Sequence, residues 1–439
     1  MVSMRRLLSS FSQHRLLGGA LVLALTQAGA SVAGLVRDNM LNRTFPGLGT
    51  VDVYIASFRP SDLLFQITIM SGISTVLLPM LARHLAKDEK SEASELLSSV
   101  LGLGSILFGC LALLLAFLFP MIAPQFVGFQ GDQLALYITF GRLALLTNFL
   151  FVSGNALGQY LNVRKRYWIY GITPILYTVG TILGTFFLTK DYGALGPMLG
   201  TLSGGVVYVL LRLIGAVYAG YRPSVRMWHP DIATMGWLML PRMLALAALQ
   251  LQLLLFDSVA SHLPAGSVTL NSNARNFESF VVGVIGIALA QSAFAHLSES
   301  AAANDRHRFS LYMQKGVFWV LALTIPASII LYFSSPVAAW LVHLTRVEAL
   351  FGSMLLWYAI AVPFESLNHL YLRAFYSLHR TATPAIFSVL NGAVAITTAW
   401  TLTPSLGIIA IPIGFLAGQG ISFVGLAVML PGAVRGIRN

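Results

Sequence analysis

The chain has 439 residues, of which 56% are hydrophobic and only 10% are charged, and its formal net charge is +11. This number of polar residues is too small to cover the surface of a soluble globular protein of this length. The composition therefore excludes a soluble enzyme and predicts a polytopic membrane protein. The single cysteine, Cys110, excludes an intrachain disulfide and a thiolate metal cluster.

Apolar stretches long enough to cross about 30 Å of hydrocarbon follow one another along the chain, separated by charged residues, Pro or Gly. They predict an all-α fold with about 12 transmembrane helices, called spans 1 to 12 in chain order. The predicted bounds are 16–37, 52–82, 96–119, 134–158, 168–189, 193–218, 232–256, 267–297, 313–334, 348–375, 382–402 and 405–430.

Lys and Arg are distributed unevenly between the segments that join these spans. If the N-terminus lies inside, most of the basic residues fall in inside segments, while the outside loops hold only Arg37, Arg43, Lys190 and Arg346. Because cytoplasmic loops retain positive charge, both termini are predicted to be cytoplasmic. The net positive charge then reflects topology, and no basic patch with aromatic residues indicates nucleic-acid binding.

The sequence also contains an internal repeat. Residues 49–62 resemble residues 266–278, and residues 172–174 resemble residues 382–384. Six spans in each half would give both copies the same orientation, which predicts two six-helix lobes related by a pseudo-two-fold axis along the membrane normal. The predicted domains are an N-terminal lobe over 1–218, a cytoplasmic linker over 219–230 and a C-terminal lobe over 231–439.

Each copy of the repeat places an Arg one helical turn before a carboxylate, Arg59 before Asp62 and Arg275 before Glu278. Charges at membrane depth cost roughly 2.5–3.5 kcal/mol each, so they usually face a partner or a watery cavity. The planar fork of Arg suits a diphosphate, and Asn271 shares the face of Arg275. We predict that these five residues bind a phosphate headgroup, with the carboxylates orienting or competing. The alternative is that each Arg only neutralises its own carboxylate.

Four further charged residues lie near span ends. Arg37 and Asp38 fall where span 1 meets the outside, and Asp52 falls where span 2 begins. They form either an interfacial ion pair or part of a gate. Asp257, near the end of span 7, is either a solvated helix terminus or a ligand for a monovalent cation, and the sequence alone does not choose.

Enzyme signals are weak. His84 and Asp88 have the H-x-x-x-D spacing of some membrane acyltransferases, but they lie in the charged run 83–92, which we interpret as a solvated face. The sequence contains no Walker glycine loop, no H-E-x-x-H and no nucleophile elbow. We therefore predict no enzyme activity, no metal site and no resident cofactor.

The residues at the start of the chain resemble the opening signature of the MurJ/MviN family of lipid II flippases, within the superfamily of multidrug, oligosaccharide-lipid and polysaccharide exporters. The matching residues are Gly34-Leu35-Val36-Arg37-Asp38, Gly47, Gly49, Asp52, Ala56-Ser57-Phe58 and Leu78-Pro79. Later matches are Ala123-Pro124 with Phe126, Gly266-Ser267-Val268 with Ala274-Arg275 and Glu278, and Phe375-Tyr376-Ser377 with Thr383-Pro384. The resemblance runs along essentially the whole chain.

This resemblance implies a two-lobed alternating-access transporter with a cationic cavity. It would carry undecaprenyl-diphosphate-linked peptidoglycan precursor from the inner to the outer leaflet of the bacterial cytoplasmic membrane. By position, Arg37, Asp38, Asp52, Arg275 and Glu278 match charged residues that the family uses in its cavity or gate.

The sequence departs from the family pattern at several positions. Ser31, Phe65 and Gln66 stand where the family commonly has basic residues, and Arg380 stands where it often has an acidic residue. The last difference weakens the case for a bound sodium ion at Asp257.

Two other functions remain open from the sequence. The protein could export another polyprenyl-diphosphate-linked glycan, or it could be a non-transporting membrane scaffold derived from a flippase. In either case we expect membrane lipids as partners, no nucleic acid, and a functional monomer, because an internal repeat can build a site within one chain.

Overall fold

The computed structural model describes residues 2–225 and 227–435, and within these ranges it contains helices and no β-strand. The α-helices are α1 (Val2–Thr44), α2 (Gly49–Phe65), α3 (Leu78–Ala86), α4 (Lys90–Phe126), α5 (Gly131–Val163), α6 (Tyr167–Leu183), α7 (Thr189–Tyr192), α8 (Gly196–Tyr218), α9 (Asp231–Ser261), α10 (Ser267–Val281), α11 (Ala288–Ala302), α12 (Arg306–Phe333), α13 (Ser335–Leu341), α14 (Glu348–Ser377), α15 (Ala382–Leu406) and α16 (Ala410–Val434).

The predicted all-α membrane fold is confirmed, and every predicted span contains one or more of these helices. By length and composition, 7 helical stretches among the described residues could cross a membrane. Two of them, 167–218 and 382–434, each hold a pair of helices joined by a short turn. Span 2 corresponds to α2 and α3, and span 8 to α10 and α11.

Both of these composite spans contain wide, π-helical turns. In span 2 the turns cover Gln66–Met70 and Ile73–Leu77, and in span 8 a single segment covers Val282–Ile287. Such turns occur mostly as local bulges within α-helices, frequently near functional sites. The two interruptions follow the same part of the repeat, immediately after the Arg and carboxylate pairs.

The internal repeat extends to the backbone. Gly193 between α6 and α8 has φ +56°, and Gly407 between α15 and α16 has φ +57°; each begins a 3₁₀ turn. Lys165 before α6 and His379 before α15 both have φ +57°. Positive φ is unusual for residues with a side chain, so its recurrence at matching positions shows that the two halves are built alike.

By internal packing, the chain forms two compact units. The first comprises Met1–Pro46, Ser57–Ala123 and Gly131–Leu246, and the second comprises Gly47–Ala56, Pro124–Gln130 and Ala247–Asn439. The segment 219–246 therefore packs within the first unit. The predicted division into two lobes joined by a cytoplasmic linker over 219–230 stays a prediction.

In the first unit, α6 packs closely against α8 through glycine. A Cβ at Gly200 would lie 2.4 Å from the carbonyl oxygen of Gly180 and 2.5 Å from Cα of Gly184. The second unit repeats this contact between α15 and α16, where a Cβ at Gly414 would lie 2.4 Å from the carbonyl oxygen of Ala395. Lipid provides little hydrophobic drive between helices, so such close backbone approach is a main source of packing energy.

The second unit also has an apolar core between α11, α12, α14 and α16. Its fully buried members include Phe309, Val320, Leu370, Phe375 and Leu426. This core holds α14 firmly against its neighbours and so fixes the helix that contributes Glu365 to the site described below.

Candidate functional site

The most concentrated buried charges in the described residues lie around Arg275 on α10. Its Nη1 donates a hydrogen bond to Glu278 of the same helix and another to Oε2 of Glu365 on α14, at 2.9 Å. Its Nη2 donates to Oε1 of Glu365 at 3.3 Å. The predicted pair of Arg275 and Glu278 is therefore present, with a second carboxylate added.

Aromatic and amide side chains surround this cluster. The Arg275 guanidinium lies 4.0 Å from the ring centroid of Phe415 on α16, a cation–π contact that favours a desolvated Arg. Asn271, one turn before Arg275, accepts a hydrogen bond from the Tyr358 hydroxyl at 2.7 Å. The contact holds the Asn271 amide against α14, so Asn271 reaches the cluster through Tyr358.

The cluster contains one guanidinium and two carboxyl groups. With all three side chains ionised, one guanidinium faces two carboxylates, and the Glu278 side chain is fully buried while those of Arg275 and Glu365 are 18% and 14% exposed. In addition, Oε1 of Glu278 is buried without a hydrogen-bond partner. A buried oxygen in this state costs about 1–3 kcal/mol, so the arrangement is not one built for stability alone.

Glu365 is absent from the site predicted from the sequence. Its signal was present, because Glu365 is a carboxylate inside the apolar stretch 348–375, and a charge at that depth indicates a partner or a cavity. It has no counterpart among the repeated Arg and carboxylate pairs, which is why the repeat did not reveal it.

In the first unit, Arg59 and Asp62 lie on α2 and interact electrostatically. Asn148 on α5 donates from Nδ2 to Oδ1 of Asp62 at 2.9 Å and to the Ser61 hydroxyl at 2.8 Å. The Asp62 carboxylate is thus held by an amide as well as by the guanidinium, so α2 is tied to α5.

At the end of α1, Arg37 donates to Oδ1 of Asp38 at 2.9 Å from Nε and at 2.7 Å from Nη2. The predicted ion pair between these neighbours is present, and both side chains are partly exposed, at 29% and 13%. Its predicted role in a gate stays a prediction.

Asp52 holds the start of α10. Its carboxylate accepts from the backbone N–H of Gly266 at 2.6 Å, from the backbone N–H of Thr269 at 2.7 Å and from the Thr269 hydroxyl at 2.6 Å. A carboxylate at a helix N-terminus satisfies backbone donors and favours the helix dipole. Asp257 on α9 is also buried and interacts electrostatically with Asp52, so it is not a solvated helix terminus.

The interpretation of His84 as part of a solvated face is wrong. His84 is buried and lies within hydrogen-bond distance of Glu89, at 2.7 Å, and of Asp231, at 2.8 Å. Asp88 instead pairs with Lys90 in solvent. The hydrogen bond with His84 lowers the pKa of Glu89 below its ordinary value. The sequence spacing gave no sign of this burial, because it depends on Asp231, which is distant in the chain.

Comparison with solved structures identifies the class of the fold. An inward-facing MATE family multidrug resistance transporter of the MOP superfamily gives a TM-score of 0.80 at 15% identity, covering 93% of this chain and 95% of the other. A lipid II flippase MurJ in an inward closed conformation gives 0.79 at 18% identity, covering 95% and 90%. The protein shares the fold of these two membrane transporters.

The family is also defined. The family model for lipid II flippase MurJ matches residues 43–437, so the chain belongs to that family, whose members are bacterial transporters and not enzymes. Similar proteins named probable lipid II flippase MurJ come from Treponema pallidum, with 23% identity over 94% of this chain and 79% of the relative, and from Thermotoga maritima, with 25% identity over 88% and 80%. The resemblance seen in the sequence is confirmed.

Proposed function

We propose that this protein moves lipid II, an undecaprenyl-diphosphate-linked peptidoglycan precursor, from the inner to the outer leaflet of the bacterial cytoplasmic membrane by alternating access. Family membership supports this substrate class. The observation that carries the proposal is the buried Arg275, which is held by two carboxylates and packed on an aromatic ring.

The arrangement gives Arg275 an exchangeable anion partner. Glu365 lies on a different helix from Arg275 and is 14% exposed, so its withdrawal would leave the guanidinium fork open to two phosphate oxygens. Glu278, one turn away on the same helix, would keep Arg275 oriented. Binding substrate and releasing Glu365 would then be the same step.

Other predicted residues have supporting roles in this proposal. Arg59 with Asp62 would offer a second guanidinium with its own carboxylate, as the internal repeat suggests. Arg37 and Asp38 would contribute to a gate, and Asp52 would fix the start of α10. The buried Asp257 remains the candidate for a monovalent cation, and one chain would suffice for function.

The membrane potential could provide the driving force. A diphosphate that carries two negative charges outward across an inside-negative membrane gains about 2.3 kcal/mol per charge per 100 mV, hence roughly 4–5 kcal/mol. No ATP-binding motif is needed for such transport.

The proposal is tested in a bacterium depleted of its own lipid II flippase. The wild-type chain, Arg275→Ala, Arg275→Lys and the exposed control Arg346→Ala are expressed at matched membrane abundance, and growth and lipid II accumulation are measured. We expect rescue by the wild type and by Arg346→Ala, loss with Arg275→Ala and partial loss with Arg275→Lys, because Lys keeps the charge but loses the fork.

Two results would contradict it. If the wild-type chain inserts normally but leaves lipid II accumulated, the substrate is another polyprenyl-diphosphate-linked glycan or the protein is a scaffold. If Arg275→Ala rescues as well as the wild type, the flippase assignment stands but this guanidinium does not bind the headgroup.

A further inference from the structure

We propose that His84, His229 and Asp231 form a binding site for a divalent transition-metal ion of the zinc class, separate from the charge cluster around Arg275. Their ligand atoms all lie within 4.8 Å of one another. His84 is on α3, Asp231 is the first residue of α9, and His229 lies two residues before Asp231. Both histidines are buried, and the Asp231 side chain is 18% exposed.

A second layer of carboxylates orients both imidazoles. Nδ1 of His84 lies 2.7 Å from Glu89, and Nε2 of His229 lies 3.1 Å from Glu92. For His229, the ring hydrogen then lies on Nε2, and Nδ1 is turned toward Asp231. For His84, both ring nitrogens face carboxylates, Nδ1 that of Glu89 and Nε2 that of Asp231. This carboxylate–histidine pairing is the usual support of histidine metal ligands, because it fixes the ring and increases its basicity.

The backbone agrees with this assignment for His229. The N–H of Asp231 donates to Nδ1 of His229 at 3.1 Å, so that nitrogen carries a lone pair. This contact orients the His229 ring next to the start of α9. A metal ion would bind the same lone pair and so replace the backbone N–H of Asp231.

Nε2 of His84 and Oδ2 of Asp231 lie 2.8 Å apart. If Nδ1 holds the ring hydrogen and donates it to Glu89, both facing atoms present lone pairs, and a metal ion bound between them would satisfy both. Tetrahedral zinc would hold the two atoms about 3.4 Å apart, so a side-chain adjustment of roughly half an ångström admits the ion.

The local charge favours a cation. The three carboxylates of Glu89, Glu92 and Asp231 outnumber the two basic side chains, Arg83 and Lys87, that act on them. Two nitrogen ligands and one oxygen ligand suit zinc and its neighbours in the first transition row, with water in the fourth position. Magnesium and calcium prefer oxygen ligands and fit less well.

Arg83 is the competitor of this metal. Its Nη2 donates to the same Oδ2 of Asp231 at 2.6 Å and lies 3.5 Å from Nε2 of His84. The ion must displace Arg83 from that oxygen, whereas a simple hydrogen-bond network would depend on Arg83. If the cluster is a metal site, removing the Arg83 guanidinium should increase its metal affinity. If it is only a hydrogen-bond network, removing Arg83 should weaken the cluster.

The test uses the full chain, purified in detergent without a polyhistidine tag and titrated with cobalt(II) chloride in the absence of chelator. Visible absorption reports the geometry and stoichiometry of the bound ion. We expect one cobalt per chain, displaced by zinc chloride, with loss of binding in His229→Gln and Asp231→Asn and no change in His307→Gln, an exposed histidine on α12.

Two milder variants complete the experiment. Glu92→Gln should weaken binding about 10–100-fold, as is typical for partners of metal-ligating histidines. Arg83→Gln should tighten it by at least threefold. If His229→Gln or Asp231→Asn fails to fold, the cobalt affinities of Glu92→Gln and Arg83→Gln still test the proposal. The proposal is overturned if the wild type binds no stoichiometric cobalt, if His229→Gln folds and binds normally, or if Arg83→Gln weakens or leaves unchanged the affinity.

Discussion

Replacing Arg275 by alanine should destabilise the second unit strongly, because it would leave Glu278 and Glu365 facing each other in a buried site without their cation. Removing one partner of a buried ion pair costs about 3–5 kcal/mol. The second unit has about 200 residues, a size at which 1 kcal/mol shifts the unfolding temperature by about 2–4 °C. The expected fall is therefore about 6–20 °C.

The same reasoning predicts a rescue. In the triple variant Arg275→Met with Glu278→Gln and Glu365→Gln, no buried charge is left unpaired, and replacing a whole ionic cluster by neutral side chains of similar size is often neutral for stability. We expect the triple variant to recover most of the unfolding temperature lost by Arg275→Ala, while still failing to support growth in the depletion strain.

The assay is thermal unfolding of the purified protein in one detergent, followed by intrinsic fluorescence, with Arg346→Ala as the control for loss of a surface charge. An Arg275→Ala protein as stable as the wild type would refute the buried-charge argument. A triple variant no more stable than Arg275→Ala would show that the Arg side chain acts through packing, on Phe415 for example, and not through charge.

Three further predictions concern stability and use the same unfolding assay. Asp52→Ala should cost about 1–2 kcal/mol because it removes the acceptor at the start of α10, whereas the exposed Asp191→Ala should change stability by less than about 0.5 kcal/mol. Gly200→Ala should cost about 1–3 kcal/mol by forcing α6 and α8 apart, while Gly420→Ala, where a Cβ meets nothing within 4 Å, should not destabilise. Asn148→Ala should cost about 1–3 kcal/mol, since two buried acceptors on α2 lose their donor, and an unchanged unfolding temperature would contradict that role.

The sequence was sufficient for the helices and the internal repeat, because both are encoded by local hydrophobicity and by short recurring motifs. It also predicted the pairing of Arg275 with Glu278, which lie one helical turn apart on α10. Contacts within a turn of helix follow from spacing alone.

What the sequence did not predict depends on approach between distant segments. Glu365 reaches Arg275 because α14 packs against α10, and His84 contacts Asp231, which is 147 positions away in the chain. Asp52 suggested an ion pair, but its hydrogen bonds are to Gly266 and Thr269, more than two hundred positions away. No local pattern specifies such partners.

The π-helical turns in spans 2 and 8 should allow these helices to lose one residue without a change in the faces on either side. A π turn accommodates one residue more than an α turn, so deleting a single residue within Gln66–Met70 or Val282–Ile287 would leave ordinary α-helix with both flanking faces in place. The same deletion a few residues earlier would rotate the Arg and carboxylate pairs by about 100° relative to the rest of the helix. In each half of the chain, a wide turn is thus a place where the length of the helix can vary without turning the charged side chains away from their partners.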